Sequence, residues 1–127
     1  MDCVFCERIA SGSFGWANEH AVAFPDAFPI SSGHTLVVSR THESELFALD
    51  AETRAAMWAL LDVAQAELAA ELSPDGFNIG VNVGAAAGQT VGHAHIHLIP
   101  RFAGDVPDPR GGVRHVIPQR AAYWDQV

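Results

Sequence analysis

The chain contains no lysine: its 7 basic residues are all arginine, set against 15 Asp and Glu for a formal net charge of −8. A protein that tracks nucleic acid needs a basic stripe to displace counterions, and none exists here. A nucleic-acid polymer is therefore excluded as the expected partner. Any phosphate-bearing ligand has to be held against the global field by local donors: backbone N–H groups, imidazoles or a well-placed Arg. That favours a small nucleotide in a pocket. Long hydrophobic runs are missing too, since no segment approaches the ~18 apolar residues of a membrane span. The opening MDCVFCERIASG lacks the basic stretch and apolar run of a secretory leader. A cytoplasmic protein without membrane attachment is expected. Only 2 cysteines are present, and a disulfide between them is disfavoured in the cytosol. There is no internal repeat, low-complexity tract or linker.

What is present is enough for a core. Hydrophobic residues make up 49% of 127, and a chain of this size buries about two-thirds of its unfolded surface without staples. One domain over residues 1–127 is expected, with a distinctive block at 82–101 and a tail at 102–127. AVAF (Ala21 to Phe24) is a short apolar run ended by Pro25-Asp26. FPISSG reads as a loop into HTLVVS (His34 to Ser39), a β-branched strand. Asp50 can cap a helix through about Leu72, where Met57, Leu60, Leu61, Ala64, Leu68 and Leu72 recur at three- and four-residue steps. Ser73-Pro74-Asp75-Gly76 stops it. FNIGVNV (Phe77 to Val83) is the next strand, GAAAG a flexible loop, and a histidine-bearing strand follows. Neighbouring strands joined this way pair antiparallel. The fold class is α+β, an antiparallel sheet covered by one main helix.

The histidine strand reads HAHIH. Side chains alternate along a strand, so His93, His95 and His97 line one face while Ala94, Ile96 and Leu98 pack on the other. Three chemistries suit such a row. Imidazoles at i and i+2 can share a zinc, but His93 and His97 lie roughly 13 Å apart on a strand, too far for one metal. Paired imidazoles can do general acid–base work, or one can attack as a nucleophile flanked by two that hold and protonate. The residues just ahead favour the last: Asn82, Gly84, Gly88, Gln89 and Thr90 supply amide, hydroxyl and bare backbone donors suited to phosphate oxygens.

VNVGAAAGQTVGHAHIHLIPR resembles the signature of the histidine triad (HIT) family of nucleotide hydrolases and transferases. His93 to Ile99 matches its His–apolar–His–apolar–His–apolar–apolar pattern at every position, after Gln-Thr-Val. The likeness extends to CVFCERIASG, to VAFPDAFPISSGHTLVVSRTH and to the helix between, residues 3–101. It implies a HIT-like antiparallel sheet of about five strands with one long helix and a short one, paired into a homodimer. It implies also that His95 attacks the α-phosphate of a nucleoside phosphoanhydride or phosphoramidate, of dinucleoside polyphosphate or adenosine phosphoramidate type. The nucleoside monophosphate would then be carried covalently and released. By the same resemblance His97 contacts a phosphate oxygen, Asn82 and Thr90 bind phosphate or leaving-group atoms, and His34 supports the triad. Asp26 would receive ribose hydroxyls, with Phe24 and Ile30 at the base. Related transferases carry Gln at the third triad position, where this chain has His97, so the implied activity is hydrolysis.

Cys3 and Cys6 form a C-x-x-C with no preceding strand, which removes a thioredoxin-like redox role. Half-buried structural thiols are one alternative. The resemblance to uridylyltransferase relatives and some bacterial members implies the other: Cys3, Cys6, His42 and His93 around one structural zinc that ties the N-terminus to the sheet. His93 would then hold metal, not phosphate. Arg101, Arg110 and Arg114 are candidates for a distal phosphate or for plain solvated surface. His20 is expected in solvent, and Trp16 and Trp58 in the core or an interface. Two other classes compete: a non-catalytic nucleotide-binding scaffold of the same fold, which the intact triad opposes, and a metal-binding protein using the His cluster, which metal stoichiometry would reveal.

Overall fold

The computed structural model describes residues 3–126. In chain order it places α1 (Val4–Ala10), β1 (Trp16–Ala17), β2 (Ala21–Pro25), β3 (Thr35–Ser39), α2 (Ala51–Leu72), β4 (Gly76–Gly80) and β5 (His95–Arg101). The long helix starts where the sequence puts its cap: the Asp50 carboxylate accepts the Thr53 N–H at 2.7 Å. It stops at Ser73, whose φ of 47° turns the chain left-handed while its N–H closes on the Ala69 carbonyl. The strands form one sheet in the order β1-β2-β3-β5-β4, every pairing antiparallel.

Alternation along the strands divides the core in two. Ala21, Ala23, Val37, Ile96 and Leu98 pack with Met57, Leu60, Leu61, Ala64 and Leu68 of α2. The intervening Val22, Phe24, Leu36 and Val38 pack instead with Cys3 and Phe5 from the α1 end. The two helices therefore cover opposite faces. Each large side chain buried this way, Met57 and Ile96 among them, is worth about 1.5–3 kcal/mol. Gly33 lets the loop before β3 pass the end of α2: its φ is +86°, and a Cβ there would stand 2.6 Å from Leu72 Cδ1. Trp16 is partly buried against the α2 core, Trp58 is 45% exposed, and His20 is half-buried beside Glu52 at 3.1 Å.

Two strands differ from the sequence expectation. The ladder ends at Gly80, not Val83, because Val81 to Val83 lead out into a turn begun by Gly84 at φ +90°. The last strand begins at His95, so His93 and Ala94 lie in the bend before it. There the Ala94 N–H bonds to the Glu43 carbonyl at 2.7 Å. Only two of the three histidines share a strand face.

The tail folds back on itself through 3-10 turns at Gly112–Val116, Pro118–Arg120 and Tyr123–Asp125. Arg101 forms a two-pronged pair with Asp105 at 2.7 and 2.8 Å and reaches Asn78 Oδ1 at 2.6 Å. Arg110 pairs with Asp108 and lies 4.4 Å above the Trp124 ring. Arg114 donates to the carbonyls of Ala121 and Arg120. All three candidate phosphate arginines are thus engaged within the chain. Among the described residues, no helix is long and apolar enough to cross a membrane.

Candidate active site

His95 and His97 alternate with Ile96 and Leu98, which belong to the α2 core, so both imidazoles face the α1 side. His95 Nδ1 donates to the His93 carbonyl at 2.8 Å. That fixes the tautomer: Nε2 keeps its lone pair. The Phe5 ring stands edge-on to it, centroids 5.1 Å apart at 82°.

The neighbouring imidazoles are set by a relay. The Ile30 N–H donates to His34 Nδ1 at 3.2 Å, so His34 carries its proton on Nε2 and gives it to His97 Nδ1 at 3.0 Å. His97 must then bear its own proton on Nε2, as a donor. Asp26 Oδ2 stands 3.4 Å from the same His34 nitrogen, and Asp26 Oδ1 accepts the Phe28 N–H at 2.9 Å. Burial, followed by the neighbouring His95 and His34, pushes His97 down to about 4. Burial also lowers His34, against the opposing pull of Asp26. His97 is therefore a neutral hydrogen-bond donor at neutral pH, next to an imidazole with a free lone pair.

These groups open on one cavity of about 760 Å³ that brings together Phe24, Asp26, His34, Asn82, Thr90, His95 and His97. Gly88 and Gln89 are not in its wall. The Gln89 amide instead accepts the Gly84 N–H at 2.9 Å and donates to the carbonyls of Ser44 and Val91. The Gly88 N–H closes its own turn on the Ala85 carbonyl at 3.0 Å. Both hold the loop that carries Thr90. Phe5 and Arg8, missed in the sequence, also line the cavity, with the Arg8 guanidinium 4.2 Å above the Phe24 ring. A signal existed: if Cys3 and Cys6 reach His93, the helix that starts at Cys3 must lie beside the histidine strand.

Cys3, Cys6, His42 and His93 converge at the N-terminal end of that helix, their ligand atoms all within 4.8 Å of one another. His93 donates Nε2–H to the Ser39 carbonyl at 2.6 Å, which leaves Nδ1 as a lone pair facing the other three. It stands 3.4 Å from Cys3 Sγ, 3.6 Å from Cys6 Sγ and 3.2 Å from His42 Nδ1; Cys6 Sγ and His42 Nδ1 are 3.2 Å apart. Ligand atoms around a tetrahedral zinc with two sulfurs and two nitrogens stand about 3.3–3.8 Å apart. The donor set fits that ion. Without a cation, desolvation and the adjacent Cys3 thiol push the Cys6 thiol up, so the cluster disfavours thiolate unless a metal supplies charge.

Two imidazoles on one face of an α+β sheet, lining a cavity of this size, with a third turned to a Cys/His cluster, invite comparison with known proteins. The HIT domain model matches residues 13–104. The chain belongs to the HIT family. A HIT family protein of Bacillus anthracis has the same fold, with a TM-score of 0.77 at 30% identity over 99% of this chain and 97% of that one. A zinc-bound histidine triad protein of Mycobacterium smegmatis aligns at a TM-score of 0.70 and 37% identity, over 99% and 97%. An Arabidopsis thaliana adenylylsulfatase is 35% identical over 103 residues, 79% of this chain and 52% of the plant protein. The five-stranded sheet with one long helix is thus the HIT fold, and the family is one of nucleotide-binding proteins.

Proposed function

We propose that this HIT protein is a nucleotide hydrolase that attacks the α-phosphate of a nucleoside phosphoanhydride or phosphoramidate through His95. One observation carries the proposal: the His93 carbonyl holds the proton of His95 on Nδ1, so Nε2 meets the cavity as a nucleophile. Attack forms a bond from Nε2 to the α-phosphorus while the leaving group departs with its electron pair and takes a proton. Water then cleaves the nucleotidyl-histidine, releasing a nucleoside monophosphate and restoring His95. His97, fixed by His34 as an Nε2–H donor, bonds a non-bridging phosphate oxygen, and Thr90 and Asn82 add donors beside it. Asp26 keeps acceptor capacity for ribose hydroxyls, and Phe24 floors the base side. Gly88 and Gln89 serve the phosphate site through the shape of their turn.

Cys3, Cys6, His42 and His93 hold one structural zinc, which supplies the positive charge that keeps both sulfurs as thiolates and anchors α1. The solved Mycobacterium smegmatis relative, zinc-bound, supports this. The homodimer implied by the family is part of the same proposal, supported by Trp58 and Val63, each about half exposed on α2. Incubation with adenosine phosphoramidate, dinucleoside polyphosphates, nucleotide sugars and adenylyl sulfate, with products identified by mass, tests the activity. Release of nucleoside monophosphate from at least one substrate, lost in His95→Asn, is the expected outcome. A variant that keeps more than about a tenth of wild-type kcat, ~1.4 kcal/mol in barrier, contradicts it.

A further inference from the structure

Phe24, Leu36 and His97 stand in one row across β2, β3 and β5, and Phe24 and His97 both line the cavity. Neighbouring strands lie about 4.8 Å apart, so the Phe24 end of the cavity is roughly 10 Å from His97. Asp26 follows Phe24 in the chain and reaches His34 at 3.4 Å. Helix α1 runs along this span. Phe5 stands edge-on to His95 and to Phe24, with centroids 5.1 and 5.6 Å apart. Arg8, three residues on and on the same face of the helix, places its guanidinium 4.2 Å above the Phe24 ring. With a phosphate at His97 and a ribose at Asp26, the base falls at the end where Phe24 and Arg8 meet.

The head of Arg8 is held at two points. Its Nε donates to the Ser13 carbonyl at 3.0 Å, and the face of Phe24 supports the guanidinium carbon. Among the described residues that is its one side-chain hydrogen bond, and no carboxylate pairs with it. Arg101, Arg110 and Arg114, by contrast, are all engaged within the chain. Val4, Phe5 and Phe24 add only hydrocarbon to the wall beside it. Such surfaces stack on any base alike. The two Nη groups therefore bring a fork of donors, without an acceptor, to an otherwise apolar end of the cavity.

We propose that Arg8 makes the site selective for 6-oxopurine nucleotides, those of guanine or hypoxanthine, through a two-pronged contact of its Nη groups with O6 and N7 of the base. The proposal rests on the nucleotidyl-His95 reading and names the base which that reading leaves open. O6 and N7 both accept hydrogen bonds, so they match a fork of donors. Adenine keeps N7 but carries an amino group at position 6, which sets donor against donor. A site built to bond a polar group in an apolar wall rejects the analogue that leaves its own donors unpaired. The contact spares the 2-amino group of guanine, so hypoxanthine serves as well.

The probes are the 5′-phosphoramidates of guanosine, inosine and adenosine, assayed for kcat/KM, and the three corresponding monophosphates, titrated by calorimetry for Kd. Guanosine and inosine compounds are expected to agree within about threefold and to exceed the adenosine compounds by about tenfold or more in both measurements. Arg8→Met keeps the length of the side chain without its donors, and Arg8→Lys keeps the charge without the fork. Each is expected to bring the guanosine to adenosine ratio within about threefold. Equal binding of the three monophosphates by the wild type overturns the contact. So does a preference for guanosine that inosine does not share, or one that either variant keeps. Turnover of no phosphoramidate, with the wild-type order of Kd values intact and lost in both variants, would refute hydrolysis at His95 and uphold the Arg8 contact.

Discussion

Removing the His97 imidazole should flatten the acid side of the stability curve. In the native fold His97 sits at about 4 instead of 6.5, with burial the largest cause and His95 and His34 adding to it. The unfolded chain takes up a proton at this residue once the pH falls below 6.5, whereas the native chain does not until about pH 4. Stability from this group is therefore complete above pH 6.5, lost progressively as pH falls from 6.5 to 4, and constant below. Linkage gives about 1 kcal/mol lost by pH ~5.5 and roughly 2–3 kcal/mol by pH ~4.5. Urea unfolding of the wild type and His97→Asn at several pH values between about 8 and 4.5 isolates the contribution. His93 is common to both proteins and largely cancels in the difference. The gap between the two curves should shift in favour of the variant by those amounts as pH drops. Parallel curves would show that His97 is not held neutral by its surroundings, and the argument for a neutral donor beside the nucleophile would fail.

Three other outcomes are expected. Asp26→Asn, which keeps an acceptor for the Phe28 N–H, should lower kcat/KM on ribonucleotide substrates by an amount worth roughly 1–3 kcal/mol. Substrates lacking the 2′-hydroxyl should lose less, and equal losses on both would assign Asp26 to another task. Cys3→Ser with Cys6→Ser should reduce zinc from about one per chain to none by metal analysis and lower Tm; metal-free wild-type protein of undiminished Tm would contradict the cluster. His97→Asn should retain measurable turnover where His95→Asn does not, since a phosphate donor is replaceable in part by an amide and a nucleophile is not; equal kcat values for the two variants would erase the distinction.

The parts of the molecule legible in its sequence are those governed by neighbours along the chain. The Asp50 cap and the three- and four-residue spacing from Met57 to Leu72 place α2 without any tertiary information, and His34 to Ser39 read as a strand from its β-branched run. His95 and His97 follow from alternation alone. His93 does not, because its ring answers to Cys3, Cys6 and His42, which are remote in sequence, and the strand begins only at His95. Gln89 looks like a phosphate ligand until the fold brings the Ser44 carbonyl within 2.6 Å of its amide. The tail is the least legible part. Its Gly- and Pro-rich turns have no periodicity, and the cavity it shares with the sheet brings Val106 and Val113 to the same wall as Ile99, remote in sequence.

The proposed hydrolysis requires the nucleotide to pass through a covalent bond to one particular nitrogen, Nε2 of His95. The measurement that meets it most directly is rapid quenching of the enzyme early in turnover, on the best substrate of the panel, followed by mass spectrometry of the intact chain and its peptides. The expected result is an added mass of one nucleoside monophosphate, located on His95 in the peptide that contains residues 93–97, and absent from His95→Asn. Turnover with the adduct on any other residue, or with no adduct at any quench time, contradicts it.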